Sequence, residues 1–383
     1  MQYRRLGKLD WKVSVLGFGA MRLPLADKET QKIDEPEAIR MIRYAIDHGV
    51  NYVDTAYPYH QGKGEGIVGN ALKDGYREKV KVTTKMPVWL VEKAEDFDRY
   101  LNEQLERLQM DKFDFYFLHG LTGERWSKVR DLGVLRWAEK TMAGGRFDYL
   151  GFSFHDNFDA FKQIVDGYDN WTSTQVQYNY MDVDNQAGRR GVEYAAGKGL
   201  AVVVMEPVRG GQLANPRGPV ADVWKRSATK RTPAAWALLW VWNQPEISVV
   251  LSGMSTMEQV VENVALAGKA RPGMLNPEEL KLIDRAREAY KGLAPIPCTG
   301  CKYCMPCSSG VEIPDIFEMY NEAMIYEDPE EPRWLYRRLK EEQRANACIQ
   351  CGECAEACPQ KIDIPAWLEK VHPFLAPEKK PES

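Results

Sequence analysis

No cysteine occurs in the first 297 residues of this 383-residue chain; all eight fall in the last 86. The opening stretch, MQYRRLGKLDWKVSVLGFG, has neither the apolar core nor the cleavage site of an export signal. A disulfide framework, which needs an oxidising compartment, is therefore not expected. Nor is there an uninterrupted run of the ~18–20 apolar residues that a membrane-spanning helix requires. No G-x-G-x-x-G opens the first helical stretch, so the fingerprint of a doubly wound dinucleotide-binding sheet is missing. The charge balance also argues against nucleic acid: the formal charge is −4, and residues 298–383 alone carry −6, leaving +2 for the rest. Free thiols without an export signal lead to the expectation of a reducing cytoplasm.

What is present begins with the cysteines. Cys298, Cys301, Cys304 and Cys307 form one run; Cys348, Cys351, Cys354 and Cys358 form the other. The second reads C-x2-C-x2-C-x3-C-P, closed by Pro359, the bacterial ferredoxin spacing for iron–sulfur ligation. Thiolates so closely spaced reach one centre without a long loop to order. Zinc is the competing ligand, but zinc sites usually pair two knuckles and have no use for the C-P ending. Two [4Fe-4S] clusters are expected. The runs also look like a duplicated half. Val311-Glu312-Ile313-Pro314 after the first echoes Ile362-Asp363-Ile364-Pro365 after the second. The first three cysteines repeat at an offset of 50, the fourth cysteines and the tails at 51.

In two-cluster ferredoxins the fourth cysteine of each run ligates the other cluster. That resemblance pairs Cys298, Cys301 and Cys304 with Cys358, and Cys348, Cys351 and Cys354 with Cys307. The charged, glycine-free, helix-like stretch from Ile316 to Ala345 between the runs is similar to the α-helical ferredoxin type.

Upstream, short β-branched runs alternate with amphipathic stretches from Val13 to about Gly268. Expected strands are Val15–Phe18, Asn51–Asp54, Val80–Lys85, Phe113–His119, Phe147–Phe152, Thr174–Tyr178, Ala201–Met205 and Ile247–Ser252. Expected helices are Glu35–His48, Glu65–Tyr76, Glu95–Leu108, Trp126–Ala143, Phe158–Val165, Asn185–Lys198, Arg231–Trp242 and Thr256–Ala267. Eight β-α units at this length predict a (β/α)8 barrel, with a doubly wound sheet as the alternative. A hairpin of Tyr3–Arg5 and Lys12–Ser14 is expected to cap the barrel bottom. The expected organisation is a barrel over 1–268, a connecting helix (Pro277–Tyr290) and linker over 269–297, a small, mainly α-helical, ferredoxin-like two-cluster domain over 298–375, and a flexible tail over 376–383.

Barrel chemistry sits at the C-terminal ends of strands. Those positions give Asp54, then Tyr59 five residues on, then Lys85 and His119. Each has a bland reading: an Asp caps a helix, a Lys faces solvent, a His packs. Together they suit carbonyl reduction. Tyrosine, with a pKa near 10, holds its proton tightly; a nearby ammonium lowers that pKa, an Asp holds the ammonium, and a His orients the carbonyl oxygen.

Asp54-Thr55-Ala56 with Tyr59, Lys85 and Leu118-His119-Gly120 resembles the aldo-keto reductases, over roughly residues 1–268. The resemblance implies NAD(P)H bound extended across the barrel mouth. It also brings in Gly17-Phe18-Gly19-Ala20-Met21-Arg22, Gln175 and Glu262-Asn263. Met205 is a candidate stacking group, and Gly210-Gly211 after Pro207 a candidate approach to the pyrophosphate. Two departures stand out. Where the family usually has Ser-Asn for the carboxamide, this chain has Ser153-Phe154-His155, so the Asn function is lost or passes to His155. Where NADP-selective members carry Lys and Arg for the 2′-phosphate, Gly253 and Gln259 stand, with Ser252, Ser255 and Arg209 as partial substitutes. The expectation leans to NAD(H) over NADP(H).

The reading is thus an NAD(P)H-dependent oxidoreductase acting on a small aldehyde, ketone or alcohol, in which Tyr57 and Trp89 line the mouth. Tyr57, His60 and Arg209 would suit a polyol or sugar-like carbonyl. Nicotinamide exchanges two electrons and a cubane cluster one, and no flavin motif is present. Either a redox partner protein or a bound flavin mediates, or the clusters fasten the C-terminal segment without taking part. The rival reading is an electron-transfer protein that uses the barrel as a docking scaffold.

Overall fold

The computed structural model describes residues 1–27 and 29–376; the remainder of the tail read as flexible lies outside the described residues. The chain divides into two compact units, Met1–Asn215 with Thr229–Lys281, and Pro216–Ala228 with Leu282 onward.

Among the described residues twelve strands lie in the first unit: β1 (Tyr3–Arg5), β2 (Lys12–Ser14), β3 (Leu16–Gly19), β4 (Leu25–Asp27), β5 (Lys32–Ile33), β6 (Tyr52–Asp54), β7 (Lys81–Met86), β8 (Phe113–Leu121), β9 (Phe147–Phe154), β10 (Ser173–Gln177), β11 (Ala201–Met205) and β12 (Ile247–Ser252). Eight of them close a parallel barrel in the order β10-β11-β12-β3-β6-β7-β8-β9. Parallel strands covered by helices on the outside are buried on both faces, which is why these read as continuous β-branched and aromatic runs. Along β7 the side chains alternate across the wall. Thr83 Oγ1 donates to Tyr52 Oη, whereas Thr84 Oγ1 donates to Glu65 (2.7 and 2.6 Å). The register sets Gly19 beside Asp54, Asp54 beside Thr83, and Lys85 beside Phe117, so the strand ends meet at one rim.

The β1–β2 hairpin plugs the other end. Leu6 and Val13 are fully buried in one cluster with Tyr52, Phe115, Phe117, Val203 and Val249. Its turn lies so close to the Gly199–Ala201 backbone that a Cβ on Gly7 would come within 2.5 Å of the Ala201 nitrogen. Arg4 ties the hairpin down, donating to the carbonyls of Gln244 (2.8 Å), Ile247 (2.6 Å) and Trp242. These carbonyls lie at and just beyond the end of helix Pro233–Trp242, where a cation is favoured. Burial brings its guanidinium pKa down to about 10.

Helices match their sequence signals where a cap is present. Asp34, Thr122, Asn157, Thr232 and Thr256 each accept a backbone N–H at a helix start. The single helix expected over Trp126–Ala143 is two, Gly123–Asp131 and Val134–Ala143, because Gly133 takes a left-handed conformation (φ 86°) between them. The helix expected to reach Tyr76 stops at Ala71, ahead of Asp74 and Gly75, both at positive φ. Two features were not expected: the β4–β5 ribbon, and helix Gly218–Lys225 in a segment read as barrel that groups with the second unit.

In the second unit the stretch read as one continuous helix-like run contains helices Ile313–Tyr326 and Glu330–Arg338, interrupted where Glu327 turns left-handed (φ 52°) before Pro329. Helix Ile364–Leu375 follows the second cysteine run. Both echoes of the repeat are structural: Val311 and Ile313, then Ile362 and Ile364, enter one core with Phe317, Leu368 and Val371. The backbone repeats as well. Gly300, Lys302 and Gly310 have positive φ, and so do Gln350, Gly352 and Lys361, at offsets of 50, 50 and 51. The offset changes between the third and fourth cysteines, so the first run is one residue shorter inside a preserved chain path.

Replacing Arg4 by Met leaves three carbonyls without their charged donor. The expected loss is about 1–3 kcal/mol, read as a lowered denaturant midpoint with an unchanged slope. An unchanged midpoint would mean that the Arg4 contacts contribute nothing to holding the hairpin down.

Candidate active site and cysteine centres

Asp54 ends β6, Lys85 stands one residue before the end of β7, and Tyr59 opens the turn Tyr59–Gly62 that follows β6. These elements converge on one nitrogen. Lys85 Nζ donates to Asp54 Oδ1 at 2.6 Å and to the Thr55 carbonyl at 2.9 Å, and lies 3.3 Å from Tyr59 Oη. The Lys85 side chain is 0% exposed and that of Asp54 3%, so neither charge is solvated by bulk water. A second layer fixes the strand from behind. Gln104 donates to Glu65 Oε1 (2.6 Å) and to the Lys85 carbonyl (3.1 Å), and Tyr116 Oη donates to Gln104 (2.7 Å). Glu65 and Gln104 were not read as site residues; on a helix face they have no sequence signal to separate them from ordinary surface polarity.

The expected direction of the Tyr59 pKa is reversed. Burial is the largest influence and raises it, Lys85 pulls it down, and Asp54 and Glu206 push it back up, so the phenol is held more firmly than a free tyrosine. Lys85 is raised: burial works against its charge, but Asp54 and Tyr59 outweigh it. Asp54 is raised by burial, with Lys85 opposing. His119, on β8, is pushed well below the usual imidazole range by burial and by the charges of Lys85, His155 and Arg125, so it is neutral at neutral pH. Its Nδ1 is buried with no hydrogen-bond partner. Its ring meets Tyr59 edge-on at 6.0 Å and Trp89 at 5.0 Å.

A cavity of about 470 Å³ opens beside this cluster, bordered by Asp54 and Tyr59. The expected cofactor positions Gly19, Met21, Arg22, Gln175, Met205 and Pro207 line it, as do Gly210, Gly253, Gln259, Glu262 and Asn263. Ser153 does not: it is buried, and its Oγ accepts the Gly120 N–H at 2.7 Å. His155 also lies off the lining, its ring edge close to Gly120. Gln175 is 2% exposed, donates weakly to the Met205 sulfur (3.7 Å), and has a buried Oε1 with no partner. An amide donor from a bound carboxamide would satisfy that oxygen. Arg22 is the one cation among the described lining residues. Its stem lies 3.2–3.4 Å from where a Cβ on Gly253 would stand, and its guanidinium 3.0 Å from one on Gly210. Both glycines therefore clear its path. Asn263 is engaged by Ser252 (3.1 Å), and Glu262 accepts from Thr232 (2.5 Å). Ser252 and Ser255 are on the lining, whereas Arg209 is tied to Asp182 (3.0 Å) and Gln212 (2.8 Å). Glu206, Ala214, Asn215 and Leu238 were missed, although the first three share the loop on which Pro207 and Gly210 were read.

Three residues offered as polar mouth groups are occupied. Tyr57 donates to Glu103 (2.8 Å), His60 accepts from the Leu23 N–H (3.2 Å), and Arg209 is paired as above. None of the three is among the residues that line the cavity beside Tyr59.

In the second unit none of the eight cysteines is joined in a disulfide. Cys298, Cys301, Cys304 and Cys358 border one small pocket. Cys307, Cys348, Cys351 and Cys354 border another, of about 170 Å³, which Cys304 lines as well. The structure thus brings together the same fours as the expected cross-ligation. Among the described residues no three His, Cys, Asp or Glu side chains gather closely enough to hold a single ion. The Gln350 N–H points at Cys348 Sγ (3.4 Å), and its repeat partner Gly300 donates to Cys298. Burial and neighbouring thiolates raise Cys354 to about 11.

A parallel barrel with a buried Asp–Lys–Tyr cluster at its rim defines an oxidoreductase scaffold. The chain belongs to the aldo/keto reductase family, whose model matches residues 15–288, and residues 297–362 match the model of a 4Fe-4S dicluster domain. Among curated proteins it is 27% identical to an L-galactose dehydrogenase of Arabidopsis thaliana, over 76% of this chain and 96% of that one. It is also 27% identical to a probable aldo-keto reductase of Glycine max, over 69% and 84%. Among solved structures it resembles an aldo-keto reductase from Bacillus halodurans (28% identity, TM-score 0.60, 75% and 96% covered). Another likeness is an aldo/keto reductase from Klebsiella pneumoniae in complex with NADP and acetate (25%, 0.55, 72% and 91%). The enzyme is an aldo/keto reductase-type oxidoreductase. No helix among the described residues is long and apolar enough to cross a membrane.

The direction of the Tyr59 shift fixes a pH dependence. A raised pKa keeps the phenol protonated through neutral pH; with Tyr59 as proton donor, carbonyl reduction would stay flat there, and alcohol oxidation, which would need the phenolate, would climb into the alkaline range. Lys85→Met removes the group that favours the phenolate and moves the oxidation limb up by about one to three pH units. A uniform loss of rate with an unmoved profile would show that Lys85 does not tune Tyr59.

Proposed function

We propose that the barrel reduces a small aldehyde or ketone, or oxidises the corresponding alcohol, with NAD(H) or NADP(H) bound in the cavity beside Tyr59. The observation that carries this is the chain of contacts Asp54–Lys85–Tyr59, at 2.6 and 3.3 Å, on the border of a cavity large enough for an extended ligand. A bound reduced nicotinamide supplies two electrons as hydride to the carbonyl carbon. Tyr59 donates its phenolic proton to the carbonyl oxygen, and Lys85 steadies the phenolate that results. Neutral His119 offers a ring N–H that orients the same oxygen without adding a charge to the site. Gln175 and Met205 form the end that takes the carboxamide and ring. Arg22, across Gly210 and Gly253, meets the pyrophosphate charge. With that cation engaged, a 2′-phosphate would face Gly253, Gln259 and Glu262, and NAD(H) is favoured.

In the second unit the eight thiols, divided into two fours, favour two [4Fe-4S] clusters. We infer a redox role for them rather than simple fastening, with a partner protein or a flavin converting between one- and two-electron chemistry.

Tyr59→Phe lowers the rate of carbonyl reduction by about 10²- to 10⁴-fold while dinucleotide affinity changes little. Retained reduction would leave the barrel as a scaffold. In a separate anaerobic titration, NADH together with the mediator bleaches the cluster absorbance. Absorbance that no dinucleotide, substrate or mediator alters would reduce the clusters to fasteners.

A further inference from the structure

The repeat lets the two cysteine centres be compared position by position. Three left-handed backbone positions recur around each run. Glycine is the residue suited to that conformation, and a side chain there is strained. Beside the centre of Cys307, Cys348, Cys351 and Cys354, the positions following Cys351 and three after Cys307 are Gly352 (φ 83°) and Gly310 (φ 82°). Beside the centre of Cys298, Cys301, Cys304 and Cys358, the same two positions hold Lys302 (φ 63°) and Lys361 (φ 52°). One centre thus has a lysine, contributed once by each run, at two left-handed positions where the other centre has glycine; the third pair, Gly300 opposite Gln350 (φ 57°), differs by no charge.

The charges around the two centres differ accordingly. Lys302 borders the pocket of its four cysteines. Neither it nor Lys361 has an ion-pair partner among the described residues. Glu318 stands near Cys298 and opposes them. The other pocket is bordered by Glu353 and by no Lys or Arg. Reducing a cluster adds one negative charge, which nearby cations stabilise and nearby anions oppose; net charge is one of the levers that set cluster potentials.

Resting on the reading that the module carries two clusters, we infer that the two are inequivalent by design. The centre of Cys298, Cys301, Cys304 and Cys358 has the higher reduction potential and takes the first electron, because Lys302 and Lys361 stand where its twin has glycine. Each centre gains one electron on reduction and returns one on oxidation.

The test is a redox titration of the anaerobically prepared full chain, with dithionite as reductant, followed by electron paramagnetic resonance. Two separate one-electron waves are expected. Lys302→Gly and Lys361→Gly, which also relieve the left-handed strain, shift the higher wave to lower potential and leave the lower wave in place. Lys302→Gln does the same while keeping the side chain's bulk, and Gly352→Lys raises the lower wave. High salt, which screens exposed charges, narrows the separation. Coincident waves, or lysine variants that move the lower wave or neither, overturn the inference. Iron analysis separates the two levels: about eight iron atoms per chain with unshifted waves sinks the inequivalence alone. Zinc, or iron short of two clusters, sinks the cluster reading and this inference with it.

Discussion

The site depends on a buried ion pair. An ammonium with no solvent exposure is sustained only where a carboxylate and further acceptors replace its water, and losing one member of such a pair typically costs about 3–5 kcal/mol. Lys85 finds Asp54 and the Thr55 carbonyl because β6 and β7 are locked in register, with Asp54 beside Thr83. Thr83 and Lys85 share the inner face of β7, while Thr84 points out to Glu65 and the helices. A slip of one residue would exchange those faces and leave the ammonium outside. Closure of eight strands, and the hairpin plug beneath them, make that slip unavailable. The fold thus holds a charge that would otherwise be expelled, and Tyr59 is placed against it.

The same burial explains why Tyr59 is held as a phenol. The sequence could place Lys85 near Tyr59, but not weigh one ammonium against a dry surrounding, Asp54 and Glu206. That balance is a property of three-dimensional packing. Other parts were legible for a definite reason. Strands buried on both faces are mostly β-branched or apolar, β10 (Ser-Thr-Gln-Val-Gln) being the exception, so their positions could be read to within a residue or two. Asp54, Lys85 and His119 stood out because polar side chains interrupt that pattern at the strand ends. What escaped notice had no such contrast: Gly133 dividing a helix, Glu65 and Gln104 supporting Lys85 from behind, and the segment 216–228 leaving the barrel's unit. Tyr57, His60 and Arg209 were misjudged for a related reason. Their residue types suit a polar mouth, yet each is spent on an internal partner that only the structure shows.

In the second unit the duplication was plain from cysteine spacing and from the paired Val-x-Ile-Pro and Ile-x-Ile-Pro tails. Nothing in a lysine's identity announces a left-handed backbone, however, so the exchange of glycine for Lys302 and Lys361 emerged only from the chain path. A duplicated module begins with equal halves. Among the exchanges at left-handed positions, Lys302 and Lys361 differ from the neutral Gln350 opposite Gly300 in carrying charge, both beside the same centre, and that shared feature calls for a cause.

The electron count gives that cause its setting. Reduction of a carbonyl takes two electrons and needs no iron, so the barrel's chemistry is complete without the eight thiols. Two cubane centres, as proposed, would together hold as many electrons as one nicotinamide exchanges, but would take them one at a time. Equal centres would share the first electron between them and oppose the second by repulsion. Unequal centres give the first electron a defined place and leave the other centre open to the second, which is the arrangement suited to passing a pair stepwise between a two-electron mediator and one-electron carriers. Clusters serving only to fasten a chain would have no use for such a difference.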